Sequence, residues 1–106
     1  MVGGCNGLGV LYKDGQGVEK NLTKAAYFYS KACELKEGDG CGALGGLYYN
    51  GDGVKQDSKK AVVLFEKACK LGYKEACEIF SLEVLCRLSD LKACGMSYDK
   101  QKALGF

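Results

Sequence analysis

Apolar residues recur at helical spacing in two stretches that repeat along most of the chain. Leu8, Leu11 and Tyr12, and again Leu44, Leu47 and Tyr48, fall on one helical face and predict helices over about 4–14 and 42–50. Each stops at a glycine, Gly15 or Gly51, where positive φ costs little. After a Gly-x-Gly-Val loop, Asn21 or Asp57 stands where the N-cap of a second helix belongs. That helix carries Ala25, Phe28, Tyr29 and Ala32 in one copy and Ala61, Leu64, Phe65 and Ala68 in the other, an i, i+3, i+4, i+7 stripe. Gly38 and Gly72 are read as the ends of the two second helices.

The two stretches are copies of one unit. Residues 5–40 align with 41–76 without a gap, and 14 of the 36 positions are identical, which fixes the register. Two complete helical hairpins therefore fill residues 5–76, and a third unit begins by residue 80. Glycines inside the first helices, Gly7 and Gly9 or Gly45 and Gly46, each cost about 1 kcal/mol of helix propensity against alanine. Small residues also let helices approach closely, so a compensating contact or staple is expected.

Cysteine supplies the staple. Six of the seven cysteines form pairs eight apart, Cys33/Cys41, Cys69/Cys77 and Cys86/Cys94. The spacing is too wide for zinc-ribbon or thioredoxin-like Cys-x-x-Cys sites. Recurrent pairs in a small domain argue for disulfides and an oxidising compartment, with buried thiols of an intracellular repeat as the alternative. A Cys33–Cys41 bond would tie the end of one second helix to the start of the next first helix, so reduction should loosen the first helices. Cys5 has no partner eight residues earlier, and Met1-Val2-Gly3-Gly4 lacks the basic start and apolar run of a signal peptide. The chain is therefore expected to begin inside a repeat.

Composition narrows the function classes. Hydrophobic residues are 47% and charged residues 26%, an ordinary globular balance, and no apolar run nears the length of a membrane span. The net charge is +2 with the two signs interspersed, which gives nucleic acid no basic face to bind. Histidine, the commonest general base and metal ligand, is absent. No metal or other cofactor is indicated.

The pattern L-G-x-L-Y-x-x-G-x-G-V, then D/N-x-x-K-A, then K-A-C, resembles the Sel1-like repeat, a relative of the tetratricopeptide repeat. With its Cys-x7-Cys junctions the chain is similar to the Helicobacter cysteine-rich protein branch of that family. The resemblance covers residues 3 to about 80. It implies an all-α superhelical solenoid with disulfides at Cys33/Cys41 and Cys69/Cys77, a secreted or periplasmic location, and binding of a peptide or protein partner. It also implies an alternative, a penicillin-binding protein with weak β-lactamase activity, whose ligand would be a β-lactam or a cell-wall peptide. First helices line the concave side of such solenoids. The expected contact residues are Asn6, Val10, Lys13 and Asp14 in the first unit, and Tyr49 with Asn50 in the second.

From about Ser81 the register fails. The triplet Lys-Ala-Cys recurs at Lys92-Ala93-Cys94, only 25 residues after Lys67-Ala68-Cys69, so residues 81–106 read as a third repeat shortened by about 11 residues or as a helical cap. On one straight helix Cys86 and Cys94 would stand about 12 Å apart, beyond the roughly 7 Å that a disulfide allows. A bond between them requires a break, for which Ser89-Asp90 offers an N-cap. The same region holds two Ser-x-x-Lys matches, Ser89 with Lys92 and Ser97 with Lys100, the letters of a β-lactam-reactive serine. No Ser-Asp-Asn or Lys-Thr-Gly accompanies them, and capping or solvated helix positions explain the letters equally well.

Overall fold

The computed structural model describes residues 4–87 and 91–104. The described residues form a file of six helices: α1 (Gly4–Asp14), α2 (Leu22–Glu34), α3 (Gly38–Asn50), α4 (Ser58–Lys70), α5 (Lys74–Arg87) and α6 (Leu91–Ala103). Each packs on the next, α1 on α2 through α5 on α6, so the contacts run between sequence neighbours as in a solenoid. Among the described residues no helix is long and apolar enough to cross a membrane.

The two complete units use the same devices at the same places. Gly15 and Gly51 take φ of 73° and 76°, and Gly17 and Gly53 take 76° and 73°. The loop then closes by a backbone bond from Asn21 N–H to the Tyr12 carbonyl, 2.8 Å, repeated from Asp57 to Tyr48 at 3.0 Å. Asn21 and Asp57 are N-caps as predicted, their side chains accepting from the Lys24 and Lys60 amides at 3.0 Å. Such caps contribute about 1 kcal/mol each.

Equal dihedrals do not mean equal surroundings. A Cβ on Gly53 would lie 2.4 Å from the Leu22 carbonyl carbon, because the second loop rests on the start of α2 and receives a 3.4 Å bond from the Thr23 hydroxyl. A Cβ on Gly17 would meet nothing within 4 Å. Gly17→Ala should therefore cost only the left-handed strain, about 1–2 kcal/mol. Gly53→Ala adds a collision with backbone and should cost about twice that or more. Paired urea titrations check the ordering, and equal midpoints would contradict it.

Two boundaries differ from the sequence reading. Gly38 does not end α2 but opens α3, which starts four residues earlier than the predicted 42. The left-handed stop is Lys36, φ 64°, standing 36 positions before its counterpart Gly72, φ 99°. Matching bonds from Glu37 to Ala32 and from Tyr73 to Ala68, both 3.0 Å, seal the two ends. A lysine in this conformation hid the stop. Helix α3 extends back because Gly40 lets it press against α2, where a Cβ would lie 2.6 Å from that of Ala32.

The third unit is more than shortened. Cys33–Cys41, Cys69–Cys77 and Cys86–Cys94 are all bonded, with Cα–Cα distances of 4.6, 4.7 and 4.8 Å. In the first two, a second helix is tied to the next first helix. Cys94 lies near the start of α6 and thus plays the part of Cys41 and Cys77, not that of Cys69 as the repeated triplet suggested. The 28 residues from Cys41 to Cys69 become 9 from Cys77 to Cys86. Helix α5 alone starts as a first helix and ends as a second one. Cys86 stands at the end of α5 and Cys94 near the start of α6, so the bond joins two helices; the proposed cap Ser89-Asp90 lies outside the described residues.

The core follows the stripes. Ala25, Ala26 and Tyr29 of α2 pack with Ala43, Leu44 and Leu47 of α3. Cys33 and Cys41 join Ala68 and Ala76 in a second cluster where α2, α3, α4 and α5 meet. Ala61 and Phe65 of α4 form a third with Ile79 of α5. Leu8 and Leu44 are repeat equivalents, yet Leu8 is 40% exposed and Leu44 6%, since α2 covers one side of α3 and no described helix does the same for α1.

Candidate functional site

The residues expected to bind a partner divide into two groups. On α1, Val10 is exposed, Asp14 is exposed and Lys13 is half-buried; at i, i+3 and i+4 they share one helical face. Asn6 occupies the same face one turn earlier, and its side chain lies outside the described residues. Burial lowers the pKa of Lys13; Asp14 opposes this, Lys102 adds to it, and Asp52 and Lys20 act more weakly. The ends of α1, the second loop and α6 therefore lie within electrostatic reach of one another.

Tyr49 and Asn50, both half-buried, end α3. Tyr49 is not a free anchor. Its ring packs with Tyr48, Phe80 and Leu104 against the Ala61–Phe65–Ile79 cluster. Burial raises the pKa of its hydroxyl, reinforced by the Glu83 carboxylate and by the hydrogen bond donated to it. Glu83 also accepts from the Ser97 hydroxyl, and Gln101 Nε2 donates to Ser97 Oγ at 3.4 Å. Glu83 is 3% exposed, Ser97 0% and Gln101 1%, and Gln101 Oε1 is buried with no partner. A buried polar seam thus joins α3, α5 and α6. Leaving such an acceptor unmet costs about 1–3 kcal/mol.

Sequence reasoning missed Glu83 and Gln101. A signal was present: on a continuous α5, Ala76, Ile79 and Glu83 fall at i, i+3 and i+7, so a carboxylate interrupts a core stripe. Ser97 and Gln101 repeat the pattern on α6.

The same seam locates the Ser-x-x-Lys letters. Ser97 gives its hydroxyl to Glu83 and is closed to solvent, whereas Lys100 Nζ pairs with Glu78 at 3.0 Å. The two side chains serve different carboxylates. Of the other match, Ser89 and the side chain of Lys92 lie outside the described residues. Among the described residues no group of three or more His, Cys, Asp or Glu could hold a metal ion.

Tyr29 shows what burial does to a phenol in this core. Its pKa is pushed up to about 12, by burial first and then by Asp14 and Asp39. The unfolded chain releases that proton near 10. Between these values the unfolded state binds fewer protons, so stability falls as pH rises. The expected loss is about 2–3 kcal/mol by pH 12. Urea titrations across this range should show it, and Tyr29→Phe should flatten that part of the slope.

The family model described as Sel1 repeat matches residues 3–37 and 38–73, with the boundary at the start of α3. The chain belongs to the Sel1 repeat family. The second match ends one residue before α5, so the condensed third unit lies outside the Sel1 pattern. Similar solved structures have the Sel1 architecture. Helicobacter pylori cysteine rich protein B is 53% identical at a TM-score of 0.68, covering 70% of this chain and 56% of that one. A Sel1 repeat protein from Oxalobacter formigenes is 35% identical at 0.66, covering 68% and 30%. The protective antigen c5321 of uropathogenic Escherichia coli, with an SLR fold, is 32% identical at 0.74 and covers 99% of this chain and 23% of its own. The last alignment extends over α5 and α6 as well as the two complete units. This chain spans between about a quarter and just over half of those structures. No curated protein matches it.

Proposed function

We propose that this Sel1 repeat chain is an exported bacterial scaffold that binds a peptide or protein through its first-helix face. Disulfides at every helix-pair junction and the similarity to the Helicobacter protein support an extracytoplasmic setting. The observation that carries the binding reading is the face of α1. Val10 is 37% exposed between Lys13 and Asp14 on one side and the position of Asn6 on the other, an apolar contact framed by polar groups. Asn50, the repeat equivalent of Asp14, extends the face to α3, and Tyr49 backs it with its ring on the core and its hydroxyl on Glu83.

The test uses peptides selected from a random displayed library on the oxidised chain. Val10→Asp touches no core cluster and should leave the melting temperature unchanged, yet weaken the selected peptides by at least about tenfold, since an unpaired carboxylate would be buried. Unchanged binding would overturn the assignment. Hydrolysis of β-lactams through Ser97 would need its hydroxyl to leave Glu83 and reach solvent. Nitrocefin turnover abolished by Ser97→Ala in highly purified chain would favour that reading instead.

A further inference from the structure

Helix α6 is held differently from the other helices. Helix α4 buries Ala61, Phe65 and Ala68, and α2 buries Ala25, Ala26, Tyr29, Ala32 and Cys33. The described side chains that α6 buries are Ser97 and Gln101, one satisfied through Glu83 and the other with an orphan carbonyl oxygen. Its remaining described anchors are the Lys100–Glu78 pair at the surface and half-buried Leu104. Polar contacts traded against water contribute little net free energy. The Cys86–Cys94 bond fixes the other end of the helix. Cys33 and Cys41 are buried at 4% and 0% in the core cluster with Ala68 and Ala76, and half-buried Cys69 packs against that cluster; Cys86 and Cys94 are half-buried and belong to none of the three core clusters.

We propose that α6 is a redox-held strap, docked across Glu83 and Tyr49 while Cys86–Cys94 is oxidised and released when a dithiol reductant opens that bond. In the exchange a reductant thiolate attacks one sulfur, and the other leaves as a thiolate that takes up a proton. The second reductant thiol, as thiolate, then resolves the mixed disulfide. The chain gains two electrons and two protons, and the reductant becomes a disulfide. Release uncovers the polar seam and the Leu104 side of the Ile79–Phe65 cluster, while the two Sel1 units keep their own cores. Peptide binding at Val10 does not depend on the strap.

The experiment is hydrogen exchange on the full chain carrying Cys86→Ser and Cys94→Ser. Amides of residues 94–104 should exchange at least about tenfold faster than in the oxidised chain, with α2 and α4 keeping their protection. Adding Gln101→Leu, which removes the orphan acceptor and supplies apolar contact, should slow α6 again toward the starting rate. Wild-type protection of α6 in the double-serine chain would overturn the proposal. So would loss of protection in α2 and α4 together with α6, because the helix would then not be a separable unit.

Discussion

Full reduction of the disulfides is expected to unfold this chain at physiological temperature. Each bond closes a loop of eight residues' separation, for which the chain-entropy estimate is about 2.5 kcal/mol. The three together come to about 7.5 kcal/mol, against about 5–15 kcal/mol for the whole stability of a domain. The losses fall on different helices. Opening Cys33–Cys41 strikes the cluster that α2, α3, α4 and α5 share, so Cys33→Ala with Cys41→Ala should be the most damaging single-bridge change. It adds a core volume deficit at two fully packed positions to the loss of the staple. Far-ultraviolet melts with and without reductant decide the matter, and coincident transitions would show that the bridges contribute nothing. The first helices should lose structure first, since they hold the glycines.

What was legible in the sequence is what repeats. Two aligned copies make each device visible twice, so the N-caps Asn21 and Asp57, the loop glycines and both second-helix stripes could be assigned residue by residue. Lys36 was not legible, because glycine at its counterpart Gly72 announces a left-handed residue and lysine does not. The condensed unit was harder for a different reason. A Cys-x7-Cys pair looks the same whichever helix its second cysteine begins, and the Lys-Ala-Cys triplet before Cys94 pointed to the wrong half of the repeat. Once α5 is known to be continuous, Glu83 falls on its buried face and the polar seam follows. Tyr49 illustrates the limit on the candidate site: its spacing places it off the apolar stripe of α3, but only a neighbouring helix bearing Glu83 engages its hydroxyl.

The glycine deficit of the first helices finds its compensation in packing as much as in the staples, and this leads to the second large expected effect. Phe65 is 0% exposed, and its ring lies so close over α3 that a Cβ on Gly45 would stand 2.9 Å from it. Tyr29 sits over Gly9 in the same way, with a virtual Cβ 2.6 Å from the ring. The aromatic and the glycine are 20 residues apart in both units, a knob and its socket repeated at the period of the fold. Gly7, with nothing within 4 Å of its virtual Cβ, has no such partner. Phe65→Ala should cost about 3–5 kcal/mol, since the cavity opens where α3, α4 and α5 meet. Gly45→Ala should also destabilise, by about 1–3 kcal/mol of overpacking, although it gains about 1 kcal/mol of helix propensity. In the Phe65→Ala background the sign should reverse: the methyl group enters the vacated space and only the propensity gain remains. A double-mutant cycle by urea unfolding would then give a coupling of about 1–3 kcal/mol. Additive effects would mean that the ring does not need the glycine, and the close approach of first and second helices would require another cause.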